Sequence, residues 1–194
     1  MAEWCEKKGI RLVVDESFVD FSENWQTGSI LQDKILESYP HMAVMKSISK
    51  SFGVPGLRLG ILASADKAMI TTLKSKVSIW NINSFAEFFM QIFTKYEKDY
   101  QKACVKFVEE RKRFVDELNK VSFLHVMPTQ ANFIFCEVLP PFTASGIVMR
   151  MLKEHNILMS NCRAKKGLFG DKYMRIAVRG AEDNDKLIEA LNSL

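Results

Sequence analysis

Ser47-Ile48-Ser49-Lys50-Ser51-Phe52-Gly53-Val54-Pro55-Gly56-Leu57-Arg58-Leu59-Gly60 joins two apolar runs, Met42 to Met45 before it and Leu59 to Ala63 behind. Both runs read as strands, so the polar segment between them is a turn at a strand end. Further upstream, Ile10 to Val14 reads as a buried strand that ends in the acidic pair Asp15-Glu16. Between it and Met42, Ser29 and Gln32 have the spacing of a capping box, which predicts a helix through Tyr39 closed by Pro40. Strand, helix, strand in this order is a βαβ unit and predicts a parallel sheet.

Outward from that unit, Ala2 to Lys8 is expected to be helical and to stop at Gly9. A helix feeding a parallel strand lacks the earlier strand it should return from. Three strands also make a poor sheet with open edges, so the chain is expected to be the later part of a longer fold. On the other side, Ser84 and Glu87 predict a capped helix start. Phe85, Phe88, Phe89, Ile92, Phe93, Tyr96, Tyr100, Cys104, Phe107 and Val108 then recur at three- and four-residue steps, the stripe of a long helix in core or interdomain packing. From Val121 the pattern becomes strand (123–127), strand (132–138), helix (144–155), strand (157–160), strand (173–178) and helix (181–194), a small α+β domain. The division expected is 1–83 for a larger α/β domain, 84–120 for a connecting helix and 121–194 for the small domain.

The composition excludes several functions. With 194 residues, 47% hydrophobic, the chain can bury one sizeable core or two small ones. A net charge of +4, with both signs interspersed, describes a solvated surface rather than a nucleic-acid or membrane footprint. Cys5, Cys104, Cys136 and Cys162 are scattered, as are His41, His125 and His155, so no metal site is expected. No apolar run reaches the ~20 residues of a membrane span. Free thiols and no signal peptide imply a reducing, cytoplasmic location.

Three candidate residues fall at strand ends, where open α/β sheets bind ligands. Asp15 closes an apolar strand, and a carboxylate there needs a cationic partner unless it serves as an ordinary cap. Lys50 sits in a hydroxyl-rich turn, where an amine can attack an aldehyde; it also reads as a plain loop lysine. Arg58, eight residues on, could join Ser47 and Ser49 in an anion site.

Taken together these words resemble those of the class I/II aminotransferases, enzymes that use pyridoxal 5'-phosphate (PLP). Ser47-x-Ser49-Lys50-x-Phe52-Gly53-x-x-Gly56-x-Arg58-x-Gly60 is similar to that family's lysine signature. Asp15-Glu16-Ser17-Phe18 is similar to its Asp-Glu-Ala-Tyr/Phe segment, and Gln130-Ala131-Asn132-Phe133 and Tyr173-Met174-Arg175-Ile176-Ala177-Val178 to its small-domain text. The nearest words are those of histidinol-phosphate aminotransferases and threonine-phosphate decarboxylases. The resemblance implies the C-terminal part of a PLP-transferase large domain, with a mostly parallel sheet, followed by the small domain. By it, Lys50 holds PLP as a Schiff base and moves the proton between Cα and C4′, and Asp15 pairs with the pyridine nitrogen. Ser47, Ser49 and Arg58 bind the cofactor phosphate. Arg175 grips the substrate carboxylate, supported by Asn132, with Arg179 a competitor for that task. Phe18 stands where many relatives have a tyrosine that bonds the cofactor oxygen, a bond Phe cannot donate.

The activity implied is amino-group transfer between an amino acid or amino-acid phosphate and a 2-oxo acid, in an enzyme that is a homodimer when intact. Alternatives are a decarboxylase of the threonine-phosphate type and a non-catalytic interaction module. Because the family's N-terminal half supplies the rest of the pocket, the chain alone is expected to be inactive.

Overall fold

In the computed structural model, which describes residues 1–194, the chain divides into two units, Met1–Cys104 and Val105–Leu194. The first is built on β1 (Leu12–Asp15), β2 (Met42–Ser47) and β3 (Gly60–Ala63), in the spatial order β1-β2-β3. β1 and β2 are parallel, with Leu12 opposite Met42 and Asp15 opposite Met45. They are joined through the helix α2 (Asp33–Ser38), as the βαβ pattern requires. β3 runs antiparallel to β2, so the sheet is mixed. The link from Ile48 to Leu59 is taken up by one helical turn and a 3-10 turn at Pro55–Leu57, with no full crossover helix, and returns the chain beside the strand it left.

One face of this sheet is closed and the other is open. Met42 and Val44 are buried with Leu36 of α2, and Leu12, Val14 and Ala63 pack against them. On the opposite face Val13, Met45 and Leu62 are 55%, 42% and 41% exposed, in line with Asp15. The run Ile10 to Val14 is therefore half-buried rather than buried. α1 (Ala2–Lys7) ends before Gly9, which takes φ +64.

The predicted capping box at Ser29 does not form, and α2 begins later, at Asp33. The buried carboxylate of Glu16 is the cause: its Oε2 accepts the Ser29 hydroxyl at 2.7 Å and its Oε1 accepts the Ile30 N–H at 2.5 Å. The Ser29 oxygen still accepts a backbone N–H, but it is that of Leu31 at 3.2 Å, in the turn ahead of α2, and not that of Gln32.

Ile48–Ser51 coils into a single helical turn, α3, where a turn was expected. α4 (Lys67–Lys76), capped by Asp66 through the Met69 N–H at 2.9 Å, had no distinct sequence signal. The expected long helix is two helices, α5 (Ser84–Ile92) and α6 (Glu97–Leu118), separated by a 3-10 turn at Phe93–Lys95. The cap of α5 is Asn83, one residue before the predicted serine. Its amide accepts from the Ala86 N–H at 3.0 Å and donates to the Leu57 carbonyl at 2.8 Å, two tasks a serine hydroxyl could not divide the same way. On one straight helix Phe93 and Tyr100 would lie about 10 Å apart along the axis. The break lets both close on Phe52, with ring centroids at 4.6 and 4.3 Å. Phe85 and Phe88, which the stripe assigned to core or interdomain packing, are outside the core, at 78% and 59% exposed.

In the second unit, β4 (Leu124–Val126), β5 (Phe133–Val138), β6 (Ser160–Asn161) and β7 (Tyr173–Ala177) form an antiparallel sheet in the order β4-β5-β7-β6. Ile134, Cys136 and Val138 alternate inward along β5 and meet Met174 and Ile176 of β7. Ala144, Ile147 and Met151 of α7 (Ala144–His155), Leu187 and Leu191 of α8 (Ala181–Asn192), and Phe114 and Leu118 of α6 cover them. Burial pushes the Cys136 thiol up to about 12. All four cysteines are free and buried. No helix is long and apolar enough to cross a membrane.

A polar clasp ties α8 to α6. Asn184, 1% exposed, accepts the Arg179 N–H at 3.0 Å and donates to Glu110 Oε1 at 2.7 Å. Arg113 bonds the same Glu110 at 2.8 Å and Asp185 at 2.7 Å. Asn184→Ala leaves the Glu110 and Arg179 groups short of a partner. It is expected to lower the stability of this unit by about 1–3 kcal/mol, read as a lower urea midpoint. The Arg113 hydrogen bonds, with a lesser share from Asn184, hold the Glu110 carboxyl below its ordinary value of 4.5. That contribution is complete above the ordinary value and is lost as pH falls through the lower folded one. Glu110→Gln is therefore expected to flatten the acid limb of a stability–pH profile.

Candidate active site

The parallel pairing of β1 and β2 delivers their C-terminal ends side by side. The pairing continues past the end of β1: the Glu16 N–H bonds the Met45 carbonyl at 2.7 Å, and the Ser47 N–H bonds Ser17 Oγ at 3.1 Å. Asp15 is exposed at this end. Its Oδ1 accepts the Ser17 hydroxyl at 2.5 Å and the Ser17 N–H at 2.9 Å. These two bonds, with a smaller part from the nearby Lys50 charge, hold the Asp15 carboxyl below the usual aspartate range. The anticipated cationic partner is thus a neighbour rather than an ion pair, and a serine supplies most of the stabilisation.

Lys50 lies on α3 with its side chain exposed, and its Nζ sits over the Phe18 ring, 5.2 Å from the centroid. No acid forms an ion pair with it. α3 itself is held on three sides. The Ser51 hydroxyl bonds the Ser47 carbonyl at 3.0 Å, and Phe52 is stacked on Tyr100. Beneath it Lys46 and Asp20 form an ion pair at 2.7 Å, with both side chains nearly enclosed. Burial and the Asp20 charge push the Tyr100 phenol well above its usual range.

The residues expected to bind an anion divide. Ser47 has an intermediate exposure and its hydroxyl makes no bond within the fold. Ser49 is 4% exposed, and its hydroxyl both donates to the Leu59 carbonyl at 3.2 Å and accepts the Leu59 N–H at 2.9 Å. Its hydroxyl is spent on pinning α3 to the start of β3, not offered to an anion. Arg58 is exposed, donates to the Pro55 carbonyl at 3.1 Å, and holds a left-handed backbone, φ 53, ψ 43. A non-glycine residue there costs energy, and such strain clusters at binding sites.

In the second unit Arg175 stands on the open face of the sheet, its guanidinium 4.9 Å over the Phe133 ring, with no carboxylate partner. Arg179 is committed to Asp183 at 2.7 Å. Of the two, Arg175 is the one able to receive a carboxylate. Asn132 precedes β5, and its carbonyl accepts the Val178 N–H at 3.0 Å. The turn before it is held by the buried Arg111, which reaches the Ala131 carbonyl and Gln130 Oε1, both at 3.4 Å.

The family model described as aminotransferase class I and II matches residues 1–191. The chain belongs to this family. Among its relatives, L-serine phosphate decarboxylase of Sulfurospirillum multivorans is 32% identical over 95% of this chain and 47% of its own length. Histidinol-phosphate aminotransferase of Thermoanaerobacter sp. is 33% identical over 94% of this chain and 48% of its own. The chain thus spans about half the length of these relatives. The crystal structure of histidinol-phosphate aminotransferase from Clostridium acetobutylicum superimposes with a TM-score of 0.88 at 29% identity, covering all of this chain and 57% of that one.

Class I and II aminotransferases are PLP-dependent, and the residues of the first unit fit that cofactor. Lys50 offers an amine without an acid partner for its aldehyde, and Asp15 keeps Oδ2 open for its ring nitrogen. Ser47 and Arg58 offer a hydroxyl and a guanidinium for its phosphate. Ser17, Asp20, Lys46 and Arg111 had no part in the sequence-based site. Ser17 and Asp20 stand inside the Asp-Glu segment, but only distances reveal what they hold.

Arg58→Gly tests the strain at this turn. Glycine adopts the left-handed backbone without the Cβ penalty, so the variant is expected to gain about 1 kcal/mol in thermal or urea unfolding while weakening phosphate binding.

Proposed function

We propose that this chain carries the lysine-bearing part of a PLP-dependent enzyme that moves the amino group of an amino acid or amino-acid phosphate to a 2-oxo acid. The observation that carries the reading is the Lys50 amine, unpaired over the Phe18 ring, beside an Asp15 carboxylate whose second oxygen is open. Bound PLP supplies an aldehyde that captures amines and a pyridinium ring that takes up the electron pair released when a bond to Cα breaks. Lys50 anchors the cofactor and carries a proton to and from the substrate's α-carbon, since an amine without an acid partner can serve as both base and acid. Asp15 keeps the proton on the ring nitrogen. Ser47 and Arg58 hold the phosphate. Arg175 receives the substrate carboxylate in the paired geometry that suits a guanidinium, with Asn132 in support. A homodimer is the assembly we propose for the intact enzyme.

Decarboxylation is a second reading, favoured by two observations. Phe18 presents a ring without a hydroxyl next to Lys50, and one of the relatives is an L-serine phosphate decarboxylase.

The test uses the intact enzyme of which this chain is a part, supplies PLP, 2-oxoglutarate and a panel of amino acids and their phosphates, and follows glutamate and CO2 together. Glutamate without CO2, lost in Lys50→Ala, is the expected result. CO2 without glutamate selects the second reading, and neither product from any substrate contradicts both. Arg175→Lys is expected to raise KM about tenfold or more with a smaller change in kcat, because it removes a charge-assisted paired contact.

A further inference from the structure

We propose that Ser17 is a positioning residue for Asp15: gripped by the backbone of β2, it pins one carboxylate oxygen and leaves the other for the ring nitrogen of a bound pyridine. The proposal rests on the PLP reading above and adds a residue to it. Ser17 is 3% exposed, and its hydroxyl lies between two partners. The Ser47 N–H reaches it at 3.1 Å. An N–H can only donate, so the hydroxyl oxygen accepts and its one hydrogen is directed elsewhere. That hydrogen goes to Asp15 Oδ1, at 2.5 Å, and the Ser17 N–H reaches the same oxygen at 2.9 Å. Both bonds fall on Oδ1, and Oδ2 takes none.

The need for such a tether follows from the surroundings. Asp15 stands exposed on the open sheet face beside Val13 and Met45, which offer no polar partner. The cation it feels is Lys50, yet the two form no ion pair. Pinned through Oδ1, the carboxylate is kept from swinging onto the amine that must stay free. Hydrogen bonds to the ionised form also make it a weaker base, so a proton shared with a ring nitrogen stays on the ring. In the segment this sequence resembles, the position of Ser17 is an alanine, which can make the backbone bond but not the hydroxyl one.

Ser17→Ala removes a single buried oxygen, and Ser17→Thr restores the hydroxyl. Two readouts are taken on the full chain. The Asp15 carboxyl is titrated by 13C NMR without any ligand, and PLP affinity is measured by absorbance and quenching of tryptophan fluorescence. Ser17→Ala is expected to raise the Asp15 pKa towards the ordinary aspartate range and to weaken PLP binding about tenfold, the loss of one charge-assisted hydrogen bond. Ser17→Thr is expected to return both towards the starting values. An Asp15 titration unchanged in Ser17→Ala would overturn the proposal. So would PLP affinity that stays the same while the wild-type chain binds PLP through Lys50. If the wild-type chain shows no Lys50-dependent PLP binding, the functional reading fails by itself. The ligand-free titration then decides the tether: a raised Asp15 pKa keeps it, and an unmoved one removes it.

Discussion

Parallel pairing of β1 with β2 is the constraint on which the site depends. Side chains alternate along a strand, so the register that sets Asp15 opposite Met45 also puts Asp15 and Ser47 on one face, at the end where the chain turns into α3. A slip of one residue would send Asp15 to the closed face, among Met42, Val44 and Leu36, where an ionised carboxylate has no partner. The register is held by the apolar face below and by two bonds beyond the end of β1, Glu16 to Met45 and Ser47 to Ser17. The backbone positions of Asp15 and of the turn that carries Lys50 are thereby set by the sheet.

The two units secure their residues by different means. Val105–Leu194 has one continuous apolar core, from Phe114 on α6 to Leu191 on α8, and its open sheet face carries Arg175. Met1–Cys104 has two small buried clusters, of three residues each, and relies on buried polar groups around the turn that carries Lys50. Glu16 anchors the loop at Ser29 and Ile30, Asp20 pairs with Lys46, and Ser49 clamps Leu59. Such groups contribute little net stability, because desolvation offsets most of their attraction, but a misplaced partner leaves a buried charge uncompensated. They select one arrangement of α3 over near alternatives. This suits a turn that must present one amine outward while its other polar groups face in.

The elements of the second unit were legible because its pattern is local. Alternation along β5 and the helical spacing in α7 and α8 each point to one face, and the structure uses those faces. The lysine turn was legible as a string of residue types, and its strands followed. Where reading failed, a distant group had intervened. Ser29 and Gln32 have the spacing of a cap, yet Glu16, thirteen residues earlier, takes the Ser29 hydroxyl. Ser49 looks like an anion ligand until Leu59 is found across from it. The aromatic stripe from Phe85 to Val108 has an unbroken period, but Phe52 gathers Phe93 and Tyr100 and bends the chain between them. Ser17 was invisible for the same reason: its partners lie on two strands, and a sequence lists only one at a time.

The most direct test of the account is to incubate the chain with PLP, reduce with sodium borohydride and map the modified residue by peptide mass spectrometry. The account predicts a pyridoxyl group on Lys50, absent without reduction and absent from Lys50→Ala. A label spread over other lysines, or one that persists in Lys50→Ala at the wild-type level, would contradict it.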